Sequence, residues 1–163
     1  EEWADIRYDA IPYKETGTFV IRGTDDIVAL LDDQLMKVQT MMGSPYIRAI
    51  RDDCDRYMRQ LQATQTLLDE WLTCQRTWLY LEPIFSSEDI MRQMPVEGKR
   101  FASVDAMWRK TMAETVENPR VMEDRPKALE NFREANKRLD MIQKGLNDYL
   151  EVKRLFFPRF YFL

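Results

Sequence analysis

Apolar residues recur at alternating steps of three and four along most of this chain, and that rhythm predicts helices. Ile27, Leu30, Leu31, Leu35 and Val38 share one face of a predicted helix over 25–42. Thr24 or Asp25 caps it, Asp25 and Asp26 complement its dipole, and Gly43 ends it. Ser44-Pro45 then supplies a cap and a proline at the first helical position, so a long helix is expected over 45–82. Its stripe is Ile47, Ile50, Cys54, Tyr57, Leu61, Thr64, Leu68, Trp71, Gln75 and Trp78, the seam of an antiparallel bundle or coiled coil. At about 1.5 Å per residue the rod would be about 55 Å long, which favours an elongated architecture.

Prolines punctuate the second half of the chain. The long helix is expected to kink or stop at Glu82-Pro83. Shorter helices fill 87–117. The first is capped by Ser86 or Ser87 and stops before Pro95; the second runs from Gly98 or Ser103 to Val116. Phe101, Val104, Met107, Trp108, Thr111 and Met112 face inward on the second. Asn118-Pro119 breaks it, and Pro126 opens a last long helix over 126–154. Leu129, Phe132, Ala135, Leu139, Ile142, Leu146, Tyr149 and Leu150 form its stripe. Pro158 ends it, leaving 156–163 as an extended tail. Residues 3–22 break the helical rhythm: two β-prone runs flank the polar turn Lys14-Glu15-Thr16-Gly17-Thr18, which predicts a hairpin. The fold class is therefore mainly α, an elongated antiparallel helical bundle with a small N-terminal β-hairpin.

Charge narrows the partners. Charged residues are 32% of the 163 and nearly balanced, 24 basic against 28 acidic, which argues against nucleic acid. No apolar run of about 18 residues exists, so no membrane span is expected. Cys54 and Cys74 lie about 30 Å apart along one predicted helix. A disulfide needs Cα atoms within about 7 Å, so both are expected as reduced thiols in a reducing compartment. Cys54 falls on the seam and Cys74 reads as the more exposed. The chain starts without Met and ends on an aromatic run, which suggests a piece of a longer protein.

Little in the sequence supports catalysis. There is no histidine, no GxxxxGK[ST] loop and no Ser-His or Cys-His arrangement. Asp25-Asp26 and Asp32-Asp33 are neighbours whose side chains diverge by about 100° on a helix, so capping and solvation explain them better than metal or acid–base work. Arg76, Arg92, Lys99, Arg100, Arg109 and Lys110 form no continuous basic face and read as solvated helix surface. No catalytic residue, cofactor site or metal site is expected.

The aromatic residues stand out more. Trp71 and Trp78 share a helical face and lead into WLTCQRTWLYLEPIFSSEDI over 71–90; PVEGKRF comes next at 95–101 and FFPRFYFL at 156–163. These three motifs, in this order, closely resemble the linker region of axonemal dynein heavy chains, and the resemblance runs from about Trp3 to Leu163. It implies a non-catalytic element of a microtubule motor, the central part of an arch that bends and straightens against a ring of ATPase modules to deliver the power stroke. It implies ATP and Mg in the ring and no cofactor in this region. The partners it implies are the ring of the same chain and the rest of the linker after Leu163, with the microtubule reached only indirectly. The location it implies is the cytoplasm of a cilium or flagellum, at the axoneme. Trp71, Trp78, Tyr80, Glu82, Pro83 and Phe85 become candidate hinge residues. The hairpin tip, Tyr13, Lys14, Glu15, Thr16 and Gly17, and the tail residues Phe160, Tyr161 and Phe162 become candidate ring-docking residues. The competing expectation is a free-standing spectrin-like scaffold or coiled-coil interaction module, against which the unequal helices and the hairpin speak. An enzyme ranks third.

Overall fold

The computed structural model describes residues 2–44 and 50–156, with only the backbone of Glu2. The chain is mainly helical, with one two-stranded antiparallel hairpin among the described residues. A 3-10 turn over Glu2–Asp5 precedes β1 (Asp9–Pro12), which pairs with β2 (Phe19–Arg22) in a register from Asp9 opposite Arg22 to Pro12 opposite Phe19. The strands are shorter than the expected 3–22 span because Trp3 is held in the turn, where its Nε1 donates to Tyr57 Oη at 2.9 Å.

Five α-helices complete the described residues: α1 (Asp25–Met42), α2 (Arg51–Phe85), α3 (Glu88–Gln93), α4 (Pro95–Glu117) and α5 (Ala128–Phe156). Thr24 is the N-cap of α1 without a side-chain cap bond, and Ile27, Leu31, Leu35 and Val38 are buried on that helix. The expected start of α2 at Pro45, with Ile47, lies outside the described residues, and so does the tail beyond Phe156.

Three prolines behave differently from expectation. Pro83 sits inside α2, which continues through it to Phe85. A proline in the last turn removes a single ladder bond. The turn holds because Phe85 is buried and stacked on Phe101 at 5.4 Å, while Ser86 N donates to Glu82 O and Ser86 Oγ to Pro83 O, both at 3.0 Å. Pro95 opens α4 instead of delaying it to Gly98 or Ser103, as suits a residue with fixed φ and no N–H to satisfy. Pro126 lies outside α5, because Lys127 takes a left-handed φ of 67° and the helix starts only at Ala128.

The described residues fall into two compact units, one drawn from Glu1–Trp71 and Arg109–Leu129, the other from Leu72–Trp108 and Glu130–Leu163. In the first, Tyr57 Oη passes the bond from Trp3 on to Gln34 Oε1 at 2.8 Å, and Gln65 Nε2 donates to Asp32 Oδ1 at 3.0 Å. The segment after α4 adds an isolated bridge, Arg7 opposite Arg120, with Tyr8 N donating to Pro119 O and Val121 N to Ile6 O. Leu61, Leu68, Trp71, Met112 and Val121 are buried in this unit.

The second unit is built on stacked rings. Trp78 and Trp108 stack at 5.4 Å, Phe132 meets Trp108 edge-on at 6.3 Å, and Trp78 Nε1 donates to Asp105 Oδ1 at 3.0 Å. Phe132, Ala135, Leu139, Ile142 and Leu146 are the buried face of α5. Met91 of α3 comes so close to α4 that a Cβ at Gly98 would lie 2.7 Å from its sulfur, so only glycine fits there without displacement. Cys74, expected to be the more exposed cysteine, is fully buried, and Cys54 is buried too; neither is in a disulfide.

Trp108 is shut off from solvent between two aromatic partners. Trp108→Ala is therefore expected to lower unfolding free energy by about 3–5 kcal/mol, whereas Tyr80→Ala, at a side chain 52% exposed, should change it by less than about 0.5 kcal/mol. Urea denaturation of the two variants beside the parent chain measures both; similar costs would mean the stack is not the core of its unit.

Candidate hinge and docking residues

The six candidate hinge residues all lie on α2 but do not form one cluster. Trp71 belongs to the first unit, and Trp78, Tyr80, Glu82, Pro83 and Phe85 to the second. Trp71, Trp78, Glu82 and Phe85 are buried, while Tyr80 and Pro83 face solvent. The buried face changes width along the helix. Up to Trp71 it follows the single seam of Cys54, Leu61 and Leu68, with Ile50 exposed. From Trp71 onward it doubles, through Cys74 and Gln75, Trp78, then Leu81 and Glu82, to Phe85. A one-residue-wide seam suits one neighbouring helix, and a two-residue-wide face suits burial on more than one side.

Trp71 has an environment that periodicity gave no sign of. Its ring lies 4.8 Å from that of Tyr8, tilted by 57°. The Arg125 guanidinium sits 5.4 Å from the Tyr8 ring centroid and 5.7 Å from that of Trp71, a cation over two aromatic faces. Its Nη2 donates to the carbonyls of Asn118 at 2.8 Å and Arg120 at 3.0 Å. One side chain thus ties the irregular segment after α4 to the Trp71 turn of α2. Burial pushes the Tyr8 hydroxyl up to about 12, with the Arg125 charge pulling the other way. Burial also lowers the Arg125 pKa, opposed by Tyr8, Glu123 and Glu114. An open cleft of about 410 Å³ borders this segment, lined by Gln60, Thr64 and Leu67 of α2 and by Met122, Glu123 and Arg125. Thr64 Oγ1 approaches Met122 Sδ at 3.3 Å beside the cleft.

The hairpin tip is tightly organised. Tyr13 N donates to Thr18 O at 3.0 Å, and Thr16 donates to Tyr13 O from both its amide, at 3.3 Å, and its hydroxyl, at 2.6 Å. Lys14 has φ 47° and Gly17 φ 79°; glycine suits the latter because it has no Cβ to clash in the left-handed region. Tyr13 and Thr16 are half-buried, Lys14 and Glu15 exposed, and Lys14 Nζ lies 5.2 Å from the Tyr13 ring centroid. Arg109 Nη1 donates to Thr16 O at 2.5 Å. Arg109 is therefore not the solvated helix surface expected from the sequence. Among the other basic residues Arg92 does fit that expectation, pairing with Asp89 at 3.3 Å on exposed α3. Phe160, Tyr161 and Phe162 lie outside the described residues.

The acidic pairs do not converge. Asp25 and Asp26 occupy the first turn of α1, Asp32 accepts from Gln65, and Asp33 pairs with Lys37 at 3.0 Å. Among the described residues no group of three or more His, Cys, Asp or Glu side chains is placed to hold a metal, and no helix is long and apolar enough to cross a membrane.

The Tyr8 hydroxyl is buried and makes no hydrogen bond among the described residues. Because its folded pKa stands above the unfolded value of 10.0, the folded state holds this proton longer as pH rises. Its stability contribution is complete below pH 10.0 and is lost as pH climbs toward about 12. Tyr8→Phe should be neutral, or stabilising by up to about 1 kcal/mol, at pH 7, and should remove about 2–3 kcal/mol of alkaline destabilisation. Urea denaturation from neutral to strongly alkaline pH tests this; parallel pH curves for the two proteins would refute it.

The whole chain, residues 1–163, matches the family model described as "Dynein heavy chain, N-terminal region 2". Over 99% of its length it is 50% identical to Dynein axonemal heavy chain 3 of Homo sapiens, of which it covers 4%. It is 48% identical over 100% of its length to Dynein axonemal heavy chain 1 of Rattus norvegicus, again covering 4% of that protein. Dynein axonemal heavy chain 12 of Rattus norvegicus is 47% identical over 99% of the chain, with 5% of that relative covered. The chain thus spans only a small part of the length of the curated relatives it matches. An extensively helical chain with an N-terminal hairpin, matched end to end by that model and by these relatives, belongs to the dynein heavy chain family.

Proposed function

We propose that this chain is the central part of the linker of an axonemal dynein heavy chain, a non-catalytic lever that bends and straightens against the ATPase ring of the same chain. In this reading ATP and Mg are handled in the ring, the linker continues after Leu163, and the microtubule is engaged only indirectly. The motor works in the cytoplasm of a cilium or flagellum, at the axoneme. Tyr13 to Gly17 at the hairpin tip, together with Phe160, Tyr161 and Phe162, make the ring contacts.

The observation that carries this reading is the change in packing along α2 at Trp71. A lever must be stiff over most of its length and yield in one place. A 35-residue helix supplies the stiffness. Its buried face switches from a single seam to a double-width face at the turn where the first compact unit ends. Flexure therefore belongs in α2 between Trp71 and Phe85, the stretch that contains Trp78, Tyr80, Glu82 and Pro83. The unbroken helix through Pro83 moves the expected point of yield away from the proline and toward Trp71.

The intact heavy chain supplies the test, by microtubule gliding measured beside ATP turnover. Thr73→Gly with Arg76→Gly replaces two exposed helix positions and should soften α2 by about 1 kcal/mol per site without emptying the core. Gliding should slow roughly threefold or more while ATP turnover stays within about twofold. Pro83→Ala should glide like the parent. If Pro83→Ala slows gliding and the glycine pair does not, the yield point is the proline; if neither does, α2 is not the element that flexes.

A further inference from the structure

The hairpin tip has two layers of support, and they come from different parts of the chain. Its own backbone and Thr16 close the turn internally, through the bonds to Tyr13 O and Thr18 O. Those bonds fix the shape of the tip, while buried Thr18, Val20 and Ile21 anchor the base of a ribbon that would be marginal alone. The tip itself is also held from α4. Arg109, 93 residues away in sequence, places Nη1 at 2.5 Å from the Thr16 carbonyl, a charge-assisted bond to a backbone acceptor. The carbonyl it takes belongs to the residue just before Gly17, the left-handed position of the turn. The guanidinium also lies under that glycine, where a Cβ would be 3.9 Å from Nη1. With Thr16 drawn onto α4 and Thr18 buried, the outward edge of the tip is Lys14 and Glu15, both exposed.

We propose that Arg109 is the positioning residue of the hairpin tip: its guanidinium, bonded to the Thr16 carbonyl, holds the ribbon on α4 so that the Lys14–Glu15 edge is presented to a polar, mixed-charge protein surface. This rests on the reading of the tip as a contact with the ring of the same heavy chain. Arg109 is half-buried against the tip. It acts through the orientation it imposes, and a lysine, with one point charge in place of a planar fork, reproduces that only in part.

The test uses the intact heavy chain and three variants, Arg109→Met, Arg109→Lys, and Lys14→Ala with Glu15→Ala. Amide hydrogen exchange over residues 13–18 reads orientation, and gliding velocity at fixed ATP reads function. Arg109→Met should speed exchange at the tip by about tenfold or more, with the strands of the first unit unchanged, and should slow gliding as much as the tip variant does; Arg109→Lys should fall between. Unchanged tip exchange in Arg109→Met overturns the proposal. So does faster tip exchange with normal gliding when the tip variant itself is slow. If the tip variant glides normally, the ring-contact reading fails, and the exchange data alone decide whether Arg109 orients the tip.

Discussion

Trp71 and Trp78 are two turns apart on one helix and both are shut off from solvent, yet their rings meet different neighbours. Trp71 meets Tyr8 under a guanidinium; Trp78 meets Trp108 and donates to Asp105. Each of these large amphipathic side chains is buried beside its own aromatic and charged neighbours. The rest of the architecture supplies those neighbours. The segment after α4 must return far enough for Arg125 to cover Trp71, and α4 and α5 must bring Trp108 and Phe132 to Trp78.

Much of this was legible from periodicity. The stripe of α1, the seam of α2 as far as Leu68 and the buried face of α5 come from apolar spacing, because a helix on one neighbour buries one stripe. The hairpin came from a glycine-bearing polar turn between β-prone runs. Proline was the main source of error. Reading Pro83, Pro95 and Pro126 by local rules placed one helix end too early and two helix starts wrongly. In each case the decisive influence was elsewhere: the burial of Phe85, the freedom of a first helical position to lack an N–H, and the left-handed backbone at Lys127.

The side chains that organise the candidate surfaces were not legible. Arg109 and Arg125 sit in runs of charge that look like any solvated helix or loop, and their partners are distant in sequence. Nothing local distinguishes a guanidinium that reaches a backbone carbonyl 93 residues away from one that reaches water. The division into two units was equally hidden. It falls inside α2, α4 and the first turn of α5, where no linker composition marks it.

The four tryptophans are shared out evenly, Trp3 and Trp71 in the first unit, Trp78 and Trp108 in the second. The second pair stacks at 5.4 Å with ring planes 20° apart, close enough for the transition dipoles of the two indoles to couple. An indole–indole exciton couplet in far-ultraviolet circular dichroism would come from this pair in the second unit. The chain thus has a built-in optical reporter, readable without a label, of whether that stack stays closed.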